Sequence, residues 1–274
     1  MKKIFLFLGV FFTTTTVAFS YTQRRAADRI LQEGILLYRL EKAAWYGTRF
    51  FLENLSHKKD FVGGFVSYVN DNDRVVNVFF ERDNPSRIVV RFEFDKFPQR
   101  NPIRVDTLNQ IATSQETNLI AMRQDAVQRV SENENGFFVF YENTSFNFIP
   151  LIQGRQRRVF ILTAPTVSGV VLLGNDYLLT YNSRNRFRRK ERLHNSLIQF
   201  PTEGTATFHS HVLSDLITST DIGTLLLYRD FVEWRRHYVF SRRYVSIFEL
   251  DTKGLTVITR RTWDIVNESQ RDRQ

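Results

Sequence analysis

The chain has 274 residues, 42% of them hydrophobic and 24% charged, which sets aside intrinsic disorder and leaves ample material for a core. It contains no cysteine, which excludes a disulfide framework, a thiol nucleophile and a lipoprotein acylation site. A formal net charge of +9 favours acidic partners such as anionic lipid, cell-wall polymer or nucleic acid, without choosing among them.

Residues 1–20 read as a secretory signal peptide: Lys2 and Lys3 form a basic start, residues 4–12 an apolar stretch, and Ala18-Phe19-Ser20 a small-x-small cleavage site. The expectation is export to the periplasm or the extracellular space. Thr13 to Thr16 interrupts the apolar run well short of the roughly 20 residues a bilayer needs, so an uncleaved anchor is disfavoured and no transmembrane segment is expected after cleavage. Loss of the two lysines would lower the formal charge from +9 to +7.

Residues 21–96 are expected to form an N-terminal helix and a β-meander. An apolar stripe through Ala27, Ile30, Leu31, Gly34, Tyr38, Trp45, Phe51 and Leu52 predicts a helix over 24 to about 55, with Glu41 on or near the stripe as a buried acid or an edge residue. Strands follow at 61–69, 74–81 and 87–94, separated by Asp71-Asn-Asp and Asp83-Asn-Pro-Ser turns. Residues 97–150 read as a helical insertion or subdomain, with a helix at about 107–131 and a strand at 137–141. Residues 151–262 carry strands at 158–163, 168–173, 177–181, 186–193 and 205–210, a helix from Asp221 to about 235, and strands at 237–250 and 255–260. Residues 263–274 form a charged tail. The basic run Arg184 to Arg192 reads as a solvated hairpin face or a phosphate-contacting patch; no nucleic-acid motif accompanies it, and no nucleic-acid partner is expected.

Chemistry concentrates between Ala206 and Ile222. His209 and His211 stand at i and i+2 of a strand, so both imidazoles share one face, and Asp221 opens the following helix across a short loop. Two imidazoles and a carboxylate suit Zn²⁺, and three protein ligands leave a fourth position for a water whose pKa the metal lowers to about 7. Asp221 also has a structural role, since with Ser219 and Thr220 it falls in the cap of its helix. His194 is a second group near the metal, an alternative ligand, or neither. The chain has no His-Glu-x-x-His, no Gly-x-Ser-x-Gly and no phosphate-binding glycine loop.

His209-Ser210-His211 followed by Thr218-Ser219-Thr220-Asp221 resembles the signature of the JAMM/MPN-type metallopeptidases and of the JAB-like domains of bacterial secreted proteins. The resemblance implies an α+β fold, a mainly antiparallel sheet packed with a long N-terminal helix and a helix after the His-x-His strand. It also implies zinc on His209, His211 and Asp221, with Thr218 or Ser219 assisting the oxyanion. The family's acid/base Glu at the start of the first strand corresponds to Asp60, in Lys-Lys-Asp-Phe-Val-Gly-Gly-Phe; failing it, Glu41 takes the role. Val212 stands where the family has Pro, and the loop is one residue shorter. Keeping the loop length would put Ser219 in the Ser position but Ile222 in that of the Asp. The function implied is an exported zinc-dependent amide or isopeptide hydrolase acting on a peptide or cell-wall-type substrate. The alternative is a non-catalytic envelope or secreted binding protein on a degenerate JAMM-like fold.

Overall fold

A computed structural model describes residues 21–108 and 110–271; the signal-peptide reading of 1–20 lies outside the described residues. The chain is α+β, as expected. Helix α1 (Tyr21–Asn54) leads into β1 (Val62–Val69), β2 (Val75–Glu81), β3 (Ile88–Phe94) and the short β4 (Arg104–Asp106), an antiparallel sheet in chain order. Strand β2 is covered on both faces. Val75 and Phe79 join the core under α1, while Val76, Val78 and Phe80 join a second core on the opposite face.

That second core is closed by α2 (Ser114–Glu132), whose start is fixed by a capping box: Thr113 Oγ1 accepts from Glu116 N–H and Glu116 accepts from Thr113 N–H. The cap places the helix start later than the apolar pattern suggests. Glu116 also takes a bidentate pair from Arg91 at 2.7 and 2.8 Å, tying α2 to β3.

A second antiparallel sheet runs in the order β5 (Thr144–Gln153), β6 (Gln156–Pro165), β8 (Tyr177–Tyr181), β9 (Phe187–Arg192). Strand β5 leaves little mark in the sequence, because Asn147 and Pro150 break its pattern. It is an edge strand, where a residue without N–H is tolerated. Conversely, 137–141 is not a strand: Val139 N–H donates to the Tyr177 hydroxyl at 2.8 Å, and Asn133 Oδ1 accepts from Phe138 N–H, so side chains take the place of a ladder. Between these sheets and the C-terminal unit, β7 (Val171–Gly174) pairs with β10 (Leu197–Phe200).

The C-terminal sheet has the order β11 (Ala206–Ser210), β12 (Arg236–Phe240), β13 (Tyr244–Glu249), β14 (Gly254–Thr259). The β11–β12 pair is parallel and is bridged by helix α3 (Ser219–Tyr228); the other pairs are antiparallel. The strand expected at 237–250 is thus a hairpin, and the tail begins as helix α4 (Arg260–Arg271). Helix α3 lies against α1. A Cβ built on Gly34 would fall 2.6 Å from Ile222 Cβ, so only glycine permits this approach. The contact seats the first turn of α3, and with it Asp221.

Candidate metal centre

His209 is buried on β11, facing inward beside Thr207, while the alternate residues Phe208 and Ser210 face out. His211 lies one step beyond the strand, where its N–H still donates to Phe240 O at 2.8 Å and so extends the parallel ladder. Asp221 enters from the first turn of α3. Its carboxylate oxygen Oδ2 accepts from Thr218 N–H at 2.9 Å and from the Thr218 hydroxyl at 2.8 Å, and Thr218 Oγ1 in turn accepts from Asp221 N–H at 3.1 Å. The capping box therefore fixes the carboxylate's rotamer. Oδ1 is left buried with no hydrogen-bond partner among the described residues.

The fourth member is His194, from the turn between β9 and β10. Its Nε2 lies 3.1 Å from Asp221 Oδ1 and its Nδ1 lies 3.4 Å from Asp176 Oδ2, yet neither nitrogen is aligned for a hydrogen bond. His209 Nε2 is 3.7 Å from Asp221 Oδ1, His211 Nε2 is 3.2 Å from Asp221 Oδ2, and the two Nε2 atoms are 2.7 Å apart. The four side chains offer ligand atoms all within 4.8 Å of one another. Four ligands on a tetrahedral zinc at about 2.05 Å would be separated by roughly 3.3 Å. Contacts of 2.7, 3.1, 3.2 and 3.7 Å, counted over both oxygens of Asp221, lie near that value, and with one atom per residue no separation exceeds 4.8 Å, so this buried group can hold a metal ion.

Hydrogen bonds on the far side of each ring define which nitrogen is free. His211 Nδ1 faces Leu216 O at 2.9 Å and must donate, which leaves Nε2 as a lone pair. His209 Nδ1 lies 2.7 Å from Nε2 of His237 on β12, whose Nδ1 lies 2.7 Å from Thr207 Oγ1. This relay satisfies itself in two protonation registers. In one, the Thr207 hydroxyl donates to His237, His237 to His209, and His209 Nε2–H to His211. In the other, His209 Nδ1–H donates to His237 and His237 Nδ1–H to Thr207, so that both Nε2 lone pairs point at one spot beside a carboxylate. A cation at that spot would stabilise the second register, and outer hydrogen bonds of this kind orient histidine ligands.

Electrostatics favour a neutral His209 and a charged Asp221 as donors, whereas His194 holds a proton at neutral pH that a metal would have to displace. Burial pushes the Asp221 carboxyl upward, but the three imidazoles around it outweigh burial and hold it well below the usual carboxylate range. Burial pushes His194 downward, yet Asp221 and then Asp176 raise it to about 10. Burial dominates for His209 and His237, lowered to about 4 and about 3, so both rings stay neutral and keep a lone pair. A small cavity of ≈ 40 Å³ lined by His194, His209 and His211 has room for water at the edge of the cluster.

Of the residues singled out in the sequence, His209, His211 and Asp221 meet here. Thr218 is engaged in orienting Asp221, and Ser219 donates to Glu33 Oε1 at 2.9 Å on α1. Asp60 is exposed in a turn of 3₁₀-helix (Ser56–Phe61), outside the cluster. Glu41 is buried at a cleft that Leu227 and Tyr228, in the last turn of α3, also line, whereas Asp221 stands in the first turn. Along a 10-residue helix that is a separation on the order of 10 Å. His194 carries no spacing signal, being a lone histidine before a turn. His237 comes alongside only through the Thr207–His237 register of the parallel pair. No family model, no curated protein and no solved structure matches this chain.

Proposed function

We propose that this chain is an exported zinc-binding protein on a JAMM-like fold, its zinc held by His194, His209, His211 and Asp221. The carrying observation is the buried convergence of three imidazoles on Asp221 Oδ1 and Oδ2, with Oδ1 otherwise unpartnered. Zinc rather than a harder ion suits a compact, nitrogen-rich, four-donor set. The order of a His-x-His strand, a loop, an acid-capped helix and a strand parallel to the first supports the JAMM-like reading. Four protein donors fill a tetrahedral shell, which is the pattern of structural rather than catalytic zinc. Among the described residues the further carboxylate beside the cluster is Asp176, which meets His194 at Nδ1, the nitrogen that does not face Asp221; placed there it suits orienting a ligand rather than acting as acid/base, which favours the non-catalytic, envelope or secreted binding role.

One observation favours a second reading, the zinc-dependent amide or isopeptide hydrolase. The cavity of ≈ 40 Å³ beside the three imidazoles leaves room for a fifth donor, and a wider cleft of ≈ 570 Å³ opens next to it between His211, Leu213, Phe240 and Arg260. In that reading zinc would supply Lewis acidity toward a peptide or cell-wall amide carbonyl lying in the cleft.

Elemental analysis of the purified mature protein is expected to find about one zinc per chain, lost in the His209→Ala, His211→Ala double variant. A metal-free protein that cannot be reloaded would overturn the zinc reading. Substitution with Co²⁺ separates the two roles: a closed site keeps its visible spectrum on addition of azide, whereas a changed spectrum selects the hydrolase.

A further inference from the structure

A second cleft lies between α1, β1, β5, the end of β6 and the C-terminal end of α3. Its volume is ≈ 710 Å³, within the range of small-molecule sites. Its wall is aromatic: Trp45 stacks on Phe231 with centroids 5.5 Å apart and tilts against Tyr228 at 6.3 Å, and Phe65 lines the same space. Trp45 and Phe231 are 40% and 56% exposed, which is costly surface for a molecule to leave bare without use.

One ionisable side chain among the lining residues is out of keeping with such a wall. Glu41 is 8% exposed, and its Oε2 accepts from Asn147 Nδ2 at 2.9 Å. Its Oε1 has no hydrogen-bond partner among the described residues and, unlike Asp221 Oδ1, is not fully enclosed, so it is open to the cleft. The charged and titratable groups that face it are Arg123 from α2 and Tyr228 from α3, with neutral Asn147 from β5. Arg123 is itself spread over the rings of Phe65, Phe80 and Phe148 at 5.6 to 6.0 Å and acts on Glu41 only at a distance. Lys42, next in sequence, is occupied by the rings of Trp45 and Tyr46 and by Asp230.

We propose that this cleft is a binding site for a small organic cation, an amine carried on an apolar body, whose ammonium pairs with Glu41 Oε1 while its body lies against Trp45, Tyr228 and Phe231. A buried carboxylate needs a charged or hydrogen-bonding partner, and the protein supplies one bond to one oxygen only. The aromatic faces add cation–π attraction. Burial raises the Glu41 carboxyl to about 7, and an ammonium ligand would offset that effect. The site is independent of the metal centre and stands or falls separately from it.

The test is calorimetric titration of the full mature chain at pH 8 with three probes of one shape: 2-phenylethylamine, 2-phenylethanol and 3-phenylpropionate. Saturable binding of the amine, at least tenfold tighter than the alcohol and with no binding of the acid, is expected. Glu41→Gln is expected to reduce amine affinity at least tenfold and leave the alcohol unchanged. In the wild type, amine affinity is expected to fall as pH drops below about 7 and Glu41 takes up its proton; this holds the test open if the variant fails to fold. Equal binding of amine and alcohol, amine binding that is indifferent to pH between 5 and 8, or no saturation by the amine at millimolar concentration would each overturn the proposal.

Discussion

At the scale of single residues, two buried polar groups are treated in opposite ways. Asp221 is surrounded by imidazoles and a capping box, so its charge is stabilised in place. Glu41 is buried with a single amide donor and a distant guanidinium, so its charge is disfavoured and its carboxyl rises from the ordinary 4.5 to about 7. The folded chain therefore binds a proton more tightly at Glu41 than the unfolded chain does. Its contribution to stability is fully present below about 4.5, is lost as pH climbs from 4.5 to 7, and is flat above. The loss is on the order of 3 kcal/mol. Glu41→Gln should remove this slope, so that urea denaturation shows the variant more stable than the wild type at pH 8 and no more stable at pH 4. Parallel pH profiles for the two proteins would refute the burial argument.

At the scale of elements, the position of α3 decides whether Asp221 reaches the histidines. That position depends on Gly34 and Gly223 at the α1–α3 contact, where added Cβ atoms would come within 2.6 Å of Ile222 and 3.2 Å of Leu37. Alanine in a helix normally gains up to about 1 kcal/mol over glycine. At Gly34 the clash is with a branched carbon fixed in a helix core, and overpacking of this kind costs about 1 to 3 kcal/mol. The clash wins, so Gly34→Ala should lower the urea midpoint and weaken zinc retention together, while Gly223→Ala does less of both. A Gly34→Ala protein as stable as the wild type would show that the helices separate freely. The element pattern itself is largely readable: α1, the β1–β3 meander, β6, β8, β9, β11 and β14 follow alternation or helical spacing. Pairing is not. Strand β5 hides behind Asn147 and Pro150, and β12 and β13 merge into one apolar run because Ser241-Arg-Arg is not a strong turn signal.

Across the whole molecule, the core closed by α2 and the core under α1 meet across β2, α1 joins the latter to the C-terminal core, and the metal centre lies at the edge of that third core, packed under α3. Because its donors come from the β9–β10 turn, the end of β11 and α3, an ion there staples three separate elements within the stretch from His194 to Asp221. Zinc at one hundred times its dissociation constant would add about 2.7 kcal/mol by mass action. For a chain of this size that corresponds to a rise in Tm of roughly 5 to 10 °C. Calorimetry with zinc and with chelator should show that interval, and the His209→Ala, His211→Ala variant should show none. An identical Tm in chelator and zinc would mean that the cluster is a metal-free hydrogen-bond relay.

The sequence by itself determined the α+β character, the inward face shared by His209 and His211, and the helix start that carries Asp221, because alternation, spacing and capping act within about ten residues of chain. Only the tertiary structure decided that His194 joins them, that His237 orients His209, that Ser219 is taken up by Glu33, and that Asp60 and Glu41 stand elsewhere. Those outcomes depend on strand register and on the approach of α1 to α3. Both are set by long-range packing, which leaves no periodic mark in the sequence.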